Sequence, residues 1–529
     1  MIHNKVKVKI MSISMVLFIE SLNNPNHPKH FLATPLAITL LIGFVWMITI
    51  RKRYLTIGRT TRNKNLLSRT YAYPPVVPGL PVIGNALQLK DKIVTKIFAN
   101  WAEIYGPIYS IKVGASNIVV LNSTDVVKEA LVTKFSSISK RKLSYAMKVL
   151  GTHILVTSDS NEYHKMARKH AVTHMMGSGP QRRHRAHRDI MIDNIVRRLH
   201  AHAKENPLKS VNFRMIFQTE LFGLALKQAL GMDVTSSKYI EGLGETLSRD
   251  EIYKVLVLDP LTQGTEVKWR DFFSYLRWVP NKSYEMLIGR TDTRRQEVMK
   301  TLIEEQQKRI SSGEVINCYL DWLMANGKTF TKTQMSMLIW ETILLGSETS
   351  LHTAEWAMYK LAKNLKNQDH LYREIQKVCG HNKYTEERYS GVTYLSAVFH
   401  ETLRMYPPLP VSLPLKYVHE DTQLGGYDIP AGTEIAVNIY GCNMDKNQWD
   451  SPEEWKPERF LVSKYDPTDL YKTMSFGGGK RVCPAATQGL SVTSTAIARC
   501  IQEFKWNLEL GREGEDTFPK LAIITPRHY

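Results

Sequence analysis

Residues 476–483, FGGGKRVC, place three consecutive glycines and two cations directly before one of the chain's five cysteines. Such a run is compatible with a phosphate cradle or with a tight turn that presents a metal-binding thiol. A P-loop requires serine or threonine after its lysine, but Lys480 is followed by Arg481. The dinucleotide pattern G-x-G-x-x-G also fails after Gly479. The stretch therefore favours a metal ligand over a phosphate loop.

The five cysteines are scattered along the chain and form no C-x-x-C pair. This distribution indicates neither a disulfide framework nor a zinc knuckle, and it predicts a reducing, cytosol-facing environment. Thiolate ligation of a haem iron instead requires a tight turn, a cation for the propionates and amide donors near the sulfur. Because the glycines, Arg481 and Cys483 supply these features, we interpret Cys483 as the axial metal ligand of a haem.

Phe476, Gly479, Arg481 and Cys483 match the signature Phe-x-x-Gly-x-Arg-x-Cys. On these residues the chain resembles the cytochrome P-450 haem-thiolate monooxygenases. The resemblance implies a single, mainly α-helical domain with a smaller β-rich part. It also implies that these four residues bind haem b, iron protoporphyrin IX, which uses O₂ to oxidise an unactivated C–H bond. Ala485 departs from the pattern, since the family usually has glycine two residues after the cysteine.

A second pair of motifs, HETLR and PERF, contains Glu401, Arg404 and Arg459. Glu401 and Arg404 lie one helical turn apart, where an acid and a cation can pair, and such a pair is usually an ordinary surface contact. Followed by PERF, it resembles the Glu-x-x-Arg motif of the same family. The resemblance implies a buried structural network of these three residues that locks the region around the haem.

The stretch WETILLGSETSLHTAEW has helical spacing but carries glycine, an acid and hydroxyls in its middle. These residues are poor helix formers, so a solvated face or an approaching ligand would account for them. The family resemblance implies an oxygen groove at Gly346, with Glu348 and Thr349 as catalytic proton carriers. Leu345 stands where the family usually has a small residue, which predicts a more crowded groove.

EYHKMARK resembles the family's Trp-x-x-x-Arg helix, with His164 in the tryptophan position and Arg168 as the arginine. The resemblance implies that both side chains bind a haem propionate, and each can donate the necessary hydrogen bond. The alternative interpretation of His164 is a solvent-exposed histidine.

The first 85 residues read as a targeting and membrane-attachment region. Residues 31–50 are an uncharged run of the length that spans a bilayer, about 20 residues, followed by a basic linker, 51–73. We therefore predict a transmembrane anchor with a cytosolic catalytic domain, the alternative being a buried core helix. Residues 1–30 are an N-terminal segment with a targeting or interfacial role, and 74–85 are a proline-rich spacer. The haem-thiolate domain is predicted to span 86–529.

Local patterns along this domain predict its elements. Residues 95–106 show an apolar helical face that ends at Gly106, and 107–122 alternate like two strands joined at Gly114. Helical spacing dominates from about residue 124 to 405, and prolines with short strands follow from 407 to 460. The simplest organisation is one mostly helical domain with a smaller strand-rich part.

The formal net charge is +20, and no flavin or nicotinamide motif is visible. Electrons must therefore come from a partner, and a positive face suits an acidic membrane-bound NADPH-cytochrome reductase. Nucleic acid is not indicated, because no basic and aromatic binding module is present.

Long segments such as WRDFFSYLRWVPNKS and GGYDIPAGTEIAVNIYGCNMD are similar to the plant ent-kaurene oxidases of gibberellin synthesis, a group within the same family. The resemblance implies a hydrophobic diterpene substrate, oxidised at one methyl through alcohol and aldehyde to ent-kaurenoic acid. It also implies the endoplasmic reticulum membrane, with the plastid outer envelope as the alternative. A shortened tail and about one extra residue after Arg404 leave two other functions open: hydroxylation of another labdane-related diterpene, or a catalytically weak haem-binding membrane protein.

Overall fold

The structure is a computed structural model that describes residues 72–276, 278–314, 317–325, 329–462, 473–508 and 522–527. The predicted N-terminal segment, the predicted membrane anchor at 31–50 and nearly all of the basic linker lie outside the described residues, as does most of the C-terminal tail. Within the described ranges, no helix combines the length and apolar character that a bilayer crossing requires.

Helices account for most of the described chain. In chain order they are α1 (Ala86–Leu89), α2 (Val94–Tyr105), α3 (Thr124–Lys128), α4 (Phe135–Ile138), α5 (Tyr145–Leu150), α6 (Glu162–Ala171), α7 (Ser178–Arg183), α8 (Arg185–Glu205), α9 (Phe213–Leu230), α10 (Arg249–Tyr253), α11 (Asp259–Thr265), α12 (Trp269–Phe272), α13 (Lys282–Ser311), α14 (Tyr319–Ala325), α15 (Lys332–Lys363), α16 (Leu365–Cys379), α17 (Thr393–Met405), α18 (Ile439–Asn443) and α19 (Ala486–Glu503).

The strands form one larger sheet and three two-stranded sheets in the described chain. They are β1 (Ile108–Val113), β2 (Ser116–Leu121), β3 (Lys140–Lys142), β4 (Lys238–Ile240), β5 (Glu245–Leu247), β6 (Leu415–Tyr417), β7 (Thr422–Leu424), β8 (Tyr427–Ile429), β9 (Glu434–Val437), β10 (Phe504–Leu508) and β11 (Ala522–Pro526). The larger sheet has the order β1-β2-β9-β6-β3, in which β2 and β9 are parallel and the other pairs are antiparallel.

The 32-residue helix α15 crosses the helical part of the molecule and packs against α9, α17 and α19. It begins with a capping box, in which Thr331 accepts the Gln334 backbone N–H and the Gln334 side chain accepts that of Thr331. The apolar residues within 337–344 belong to one hydrophobic cluster, and those within 351–362 belong to a second. The segment between the two clusters contributes no fully buried apolar residue to either of them.

The proline-rich spacer lies along β1, the strand at one end of the larger sheet. The Val77 N–H donates to the Ser110 carbonyl at 2.9 Å, and the Ser110 N–H donates to the Pro75 carbonyl at 2.8 Å. Asn85 exchanges bonds with the Lys112 backbone farther along the same strand. The spacer thereby satisfies backbone groups of β1 that would otherwise lack a partner strand.

Two local predictions are confirmed. Helix α2 ends at Gly106, whose φ of +90° is unfavourable for residues with a side chain. The hairpin β1–β2 turns through Gly114 and Ala115, with Val113 opposite Ser116. The chain is mostly helical with a smaller sheet part, as the fold prediction states.

Candidate active site

Cys483 follows a tight loop in which its backbone N–H donates to the Phe476 carbonyl at 2.8 Å. Gly477 and Gly479 have φ values of +70° and +61°, in the left-handed region that favours glycine. A Cβ on Gly479 would lie 2.1 Å from the Leu131 carbonyl oxygen, far inside contact distance. The turn therefore requires glycine at both positions. At Gly479, glycine is also required by the close approach of the loop to the backbone of Leu131.

Cys483 is partly exposed, whereas the other cysteines are buried. Protein atoms nevertheless surround its thiol densely, and this burial raises its pKa; the Ala485 backbone N–H and the positive charge of Arg168 act in the opposite direction. Both of these groups stabilise a thiolate, which is the form that ligates a metal. Cys483 is thus a partly exposed cysteine beside an amide and a guanidinium that favour its ionised form.

Arg141 and Lys416 occupy directly opposite positions in the antiparallel pair β3–β6. Side chains at opposite positions of such a pair share one face of the sheet, where like charges repel. Together with Arg481 they line a single pocket beside Gly477 and Gly478 of the cysteine loop. The fold therefore gathers three cations from distant parts of the chain at one place.

Electrostatics show that this gathering is unfavourable in the protein alone. Burial, and then the neighbouring Arg481, lowers the pKa of Arg141 to about 9, while burial lowers the pKa of Arg481 to about 10. The pKa of Lys416 falls well below its ordinary value, because of burial and then the charges of both arginines. Asp159 is the carboxylate that offsets these effects on the arginines. The set has an excess of positive charge that an anionic group would neutralise.

The arginines also retain unused donors. Arg481 donates to the carbonyls of Leu155 (3.2 Å) and Ser158 (2.7 Å), and Arg141 donates to that of Pro414 (3.2 Å). The Nε atoms of both arginines are buried and have no hydrogen-bond partner in the part of the chain that the structure describes. Two orphaned guanidinium donors beside a buried cationic pocket fit a ligand that carries carboxylates, as a haem does.

Arg168 and His164 of α6 adjoin this cluster. The Arg168 guanidinium donates to the Val482 carbonyl at 2.6 Å, directly before Cys483. His164 is only 4% exposed, so it is not the solvent-exposed histidine of the alternative interpretation. Burial, followed by the charges of Arg481, Arg168 and Arg141, lowers its pKa to about 4. His164 is therefore a neutral ring beside the arginines at physiological pH.

The middle of α15 presents an open face. A Cβ added to Gly346 would meet nothing within 4 Å, and Thr349, one turn later, is exposed although the helix is buried on either side. The Thr349 hydroxyl donates to the Leu345 carbonyl at 3.0 Å, as hydroxyls in helices often do. Gly346 and Thr349 share one face because they are three residues apart. The face has room for a ligand and carries the exposed Thr349 hydroxyl.

Glu348, the other predicted proton carrier, is engaged elsewhere. Its carboxylate accepts a hydrogen bond from Arg214 of α9 at 2.6 Å and another from the Tyr253 hydroxyl. Arg214 also pairs with Glu355, two helical turns farther along α15, at 2.6 Å. The structure thus places the Glu348 carboxylate in an ion pair with α9, adjacent in sequence to Thr349 but bound to other groups.

The structure brings Glu401, Arg404 and Arg459 together. The Arg404 guanidinium binds both carboxylate oxygens of Glu401, at 2.7 and 2.8 Å, and both side chains are 0% exposed. Arg459 Nε donates to Glu401 at 3.1 Å, and the Lys456 backbone N–H donates at 2.9 Å. Arg404 further donates to the Asn443 carbonyl at 2.8 Å. The network ties α17 to the irregular segment that precedes the cysteine loop.

Sequence reasoning missed Arg141, Lys416 and Arg214. Lys416 carries a weak signal, since it is a lysine within the otherwise apolar stretch SLPLKYV. Arg141 lies in the run KRK and Arg214 at the start of a helix, where cations are ordinary, so neither stands out. Their importance depends on partners that lie far away in the sequence.

Comparison with known proteins agrees with this geometry. The Cytochrome P450 family model matches residues 74–529. The chain is 53% identical to Ent-kaurene oxidase of Salvia miltiorrhiza over 483 residues, which cover 89% of this chain and 93% of that protein. It is 50% identical to Ent-kaurene oxidase 2 of Oryza sativa subsp. japonica, over 84% and 87% of the two chains.

Another rice relative, Ent-sandaracopimaradiene 3-hydroxylase, is 46% identical over 86% of this chain and 90% of its own length. The family implies a haem and an external electron donor. The thiol on its glycine loop, the buried cations and the open helix face all fit a haem group. The chain belongs to the cytochrome P450 family, as a monooxygenase that resembles ent-kaurene oxidase.

Proposed function

We propose that this protein oxidises one methyl group of ent-kaurene in three successive steps, through ent-kaurenol and ent-kaurenal to ent-kaurenoic acid, in gibberellin biosynthesis. The observation that carries the proposal is the 53% identity to Ent-kaurene oxidase over 89% of this chain. A match of that extent covers most of the family domain, which spans residues 74–529. The two departures after Arg404 and in the tail are the places where specificity can differ.

The residues divide into holding and reacting roles. Cys483 would ligate the iron of haem b on the loop formed by Phe476 and Gly479, and Arg481, Arg168 and His164 would face the propionates. Arg141 and Lys416 join this set, since both residues line the same pocket as Arg481 and the buried Nε of Arg141 has no hydrogen-bond partner in the described part of the chain. The bound haem would supply oxidation of a C–H bond by O₂, with electrons from an NADPH-cytochrome reductase. The network of Glu401, Arg404 and Arg459 keeps the surrounding backbone in place.

Proton delivery falls to the open face of α15. The Thr349 hydroxyl would pass a proton into the groove beside Gly346, because it is the exposed hydroxyl there. Glu348 would resupply Thr349, and this requires its contacts with Arg214 and Tyr253 to open. We expect that opening to be coupled to movement of α9 or α10 relative to α15.

We propose that residues 31–50 anchor the protein in the endoplasmic reticulum membrane, with the catalytic domain in the cytosol. The length of this apolar run and the basic linker that follows it support the assignment. The plastid outer envelope is the alternative membrane. The formal charge of +20 suits docking of an acidic reductase on the same side.

A second candidate function is hydroxylation of another labdane-related diterpene. The observation in its favour is the 46% identity to Ent-sandaracopimaradiene 3-hydroxylase, which nearly equals the identity to the rice ent-kaurene oxidase. Overall identity therefore does not separate the two substrates by itself.

Product analysis separates them. Microsomes that contain the protein and a reductase are supplied with NADPH and either ent-kaurene or ent-sandaracopimaradiene, and products are identified by gas chromatography and mass spectrometry. We expect ent-kaurenoic acid from the first substrate, with the alcohol and aldehyde appearing at early times. Consumption of the second substrate with no oxidised product from ent-kaurene would overturn the proposal in favour of the alternative.

A further inference from the structure

Helix α15 contains a buried carboxylate that the reaction described above does not use. Glu341 is 3% exposed and lies two turns before Thr349. Its two oxygens accept the backbone N–H groups of Leu155 and Val156, at 2.8 and 2.9 Å. Both donors belong to the irregular segment 151–161 between α5 and α6, so one side chain holds two consecutive amides of a loop.

The same loop supports the site on its other side. The Leu155 carbonyl accepts a hydrogen bond from Arg481 at 3.2 Å, and the Ser158 carbonyl accepts one at 2.7 Å. Leu155 thus gives its N–H to Glu341 and its carbonyl to Arg481. Segment 154–158 therefore lies between helix α15 and Arg481, and it is hydrogen-bonded to both.

We propose that Glu341 is a positioning residue for this site: its ionised carboxylate holds segment 154–158 against α15 and thereby fixes the carbonyls that orient Arg481. Three observations support the assignment, namely the burial of the carboxylate, its use of both oxygens on adjacent amides, and the shared residue Leu155. The effect on haem binding rests on the role proposed above for Arg481. The contact between Glu341 and segment 154–158 is independent of that role.

The surroundings of Glu341 make this hold sensitive to pH. Burial raises its pKa from the ordinary 4.5 to about 7, and the two amide N–H groups offset only part of that effect. Tyr163 of α6 and Tyr319 of α14 face it; burial, and then the charge of Glu341, raises the pKa values of both tyrosines, so their hydroxyls remain neutral. No cation is among the groups that shift the pKa of Glu341.

Two consequences of the raised pKa run in opposite directions. A carboxyl whose pKa is higher in the folded chain stabilises the fold fully below pH 4.5, and this contribution is lost as the pH rises through about 7. The hydrogen bonds to the loop, in contrast, are strongest to the ionised form, above that pH. Protonation of Glu341 should therefore stabilise the fold as a whole and at the same time loosen this one loop. A residue that served only the stability of the fold would not show both effects.

Hydrogen exchange measured by mass spectrometry tests the proposal on the full-length holoenzyme in detergent. The peptide that covers residues 151–160 is followed at pH 6 and pH 8, with rates corrected for the intrinsic effect of pH. We expect exchange to be about tenfold faster at pH 6 in the wild type, because a bond to a charged acceptor is that much stronger than a bond to a neutral one. In Glu341→Gln we expect fast exchange at both values.

Thr342→Val is the matched control, since Thr342 is the next residue of α15 and is also buried. Its hydroxyl donates to the Ile339 carbonyl of its own helix and to no residue of segment 151–161. It should exchange as the wild type does. Wild-type exchange that is independent of pH would overturn the proposal, and this comparison holds even if a variant fails to fold. Protection in Glu341→Gln equal to that in the wild type would also overturn the proposal. Neither result depends on which diterpene is oxidised.

Discussion

Replacing Glu401 by glutamine tests whether the buried network is a structural lock. In the wild type the Glu401 carboxylate neutralises the charge of Arg404, which is 0% exposed. It also accepts hydrogen bonds from Arg459 and from the Lys456 backbone N–H. Removing one member of a buried ion pair leaves an uncompensated charge and typically costs about 3 to 5 kcal/mol. Because Arg404 keeps the Asn443 carbonyl and glutamine retains one acceptor, we expect about 3 kcal/mol. That is a large part of a typical folding free energy of about 5 to 15 kcal/mol.

The assay is urea unfolding followed by far-ultraviolet circular dichroism and, in parallel, by the carbon monoxide difference band of the reduced haem protein. Glu162→Gln provides the control, because Glu162 and Lys165 have the same three-residue spacing and a distance of 2.7 Å but are 90% and 64% exposed. We expect the control to unfold at the wild-type midpoint, since exposed pairs contribute little. Equal midpoints for Glu401→Gln and Glu162→Gln would refute the role of burial in this argument.

Three further predictions concern the cofactor site. Cys483→Ser should abolish the red-shifted Soret band of the reduced carbon monoxide complex while leaving the circular dichroism unchanged; survival of the band would disprove thiolate ligation. Gly346→Ala should preserve thermal stability or raise it by up to about 1 kcal/mol but lower turnover, whereas Gly479→Ala should impair folding, because its methyl group would meet a carbonyl at 2.1 Å. Arg141→Gln and Lys416→Gln should each speed transfer of haem to apomyoglobin yet raise the melting temperature of the haem-free protein, since like charges are separated; slower transfer would contradict the assignment.

Elements of the fold could be predicted from the sequence where the chemistry is local. A glycine ends α2, a two-residue turn joins β1 to β2, and a glycine loop precedes Cys483, and each depends only on neighbours in the chain. The spacing of Glu401 and Arg404 likewise predicts their pairing, although it does not predict that both are completely buried. Their depth depends on α18 and on the segment before the cysteine loop, which no helical pattern reveals.

The remainder depends on pairings across long stretches of sequence. Arg141 faces Lys416 only because β3 pairs with β6, and nothing in the run KRK announces that register. Glu348 matches a catalytic pattern, but its partner Arg214 is 134 residues away, so its engagement with α9 could not be inferred. The role of Glu341 is equally remote, since it is defined by amides of a loop without regular structure.

The way the proline-rich spacer lies along β1 determines where the polypeptide can be shortened. If the chain were cut after residue 85 to remove the hydrophobic N-terminal region, β1 would lose the partners supplied by Pro75, Val77 and Asn85. A bare outer strand invites pairing with a second molecule, and therefore precipitation during purification. A shortened form that starts at residue 72 keeps this protection, so the stiff segment that looks like a spacer belongs with the enzyme in any soluble preparation.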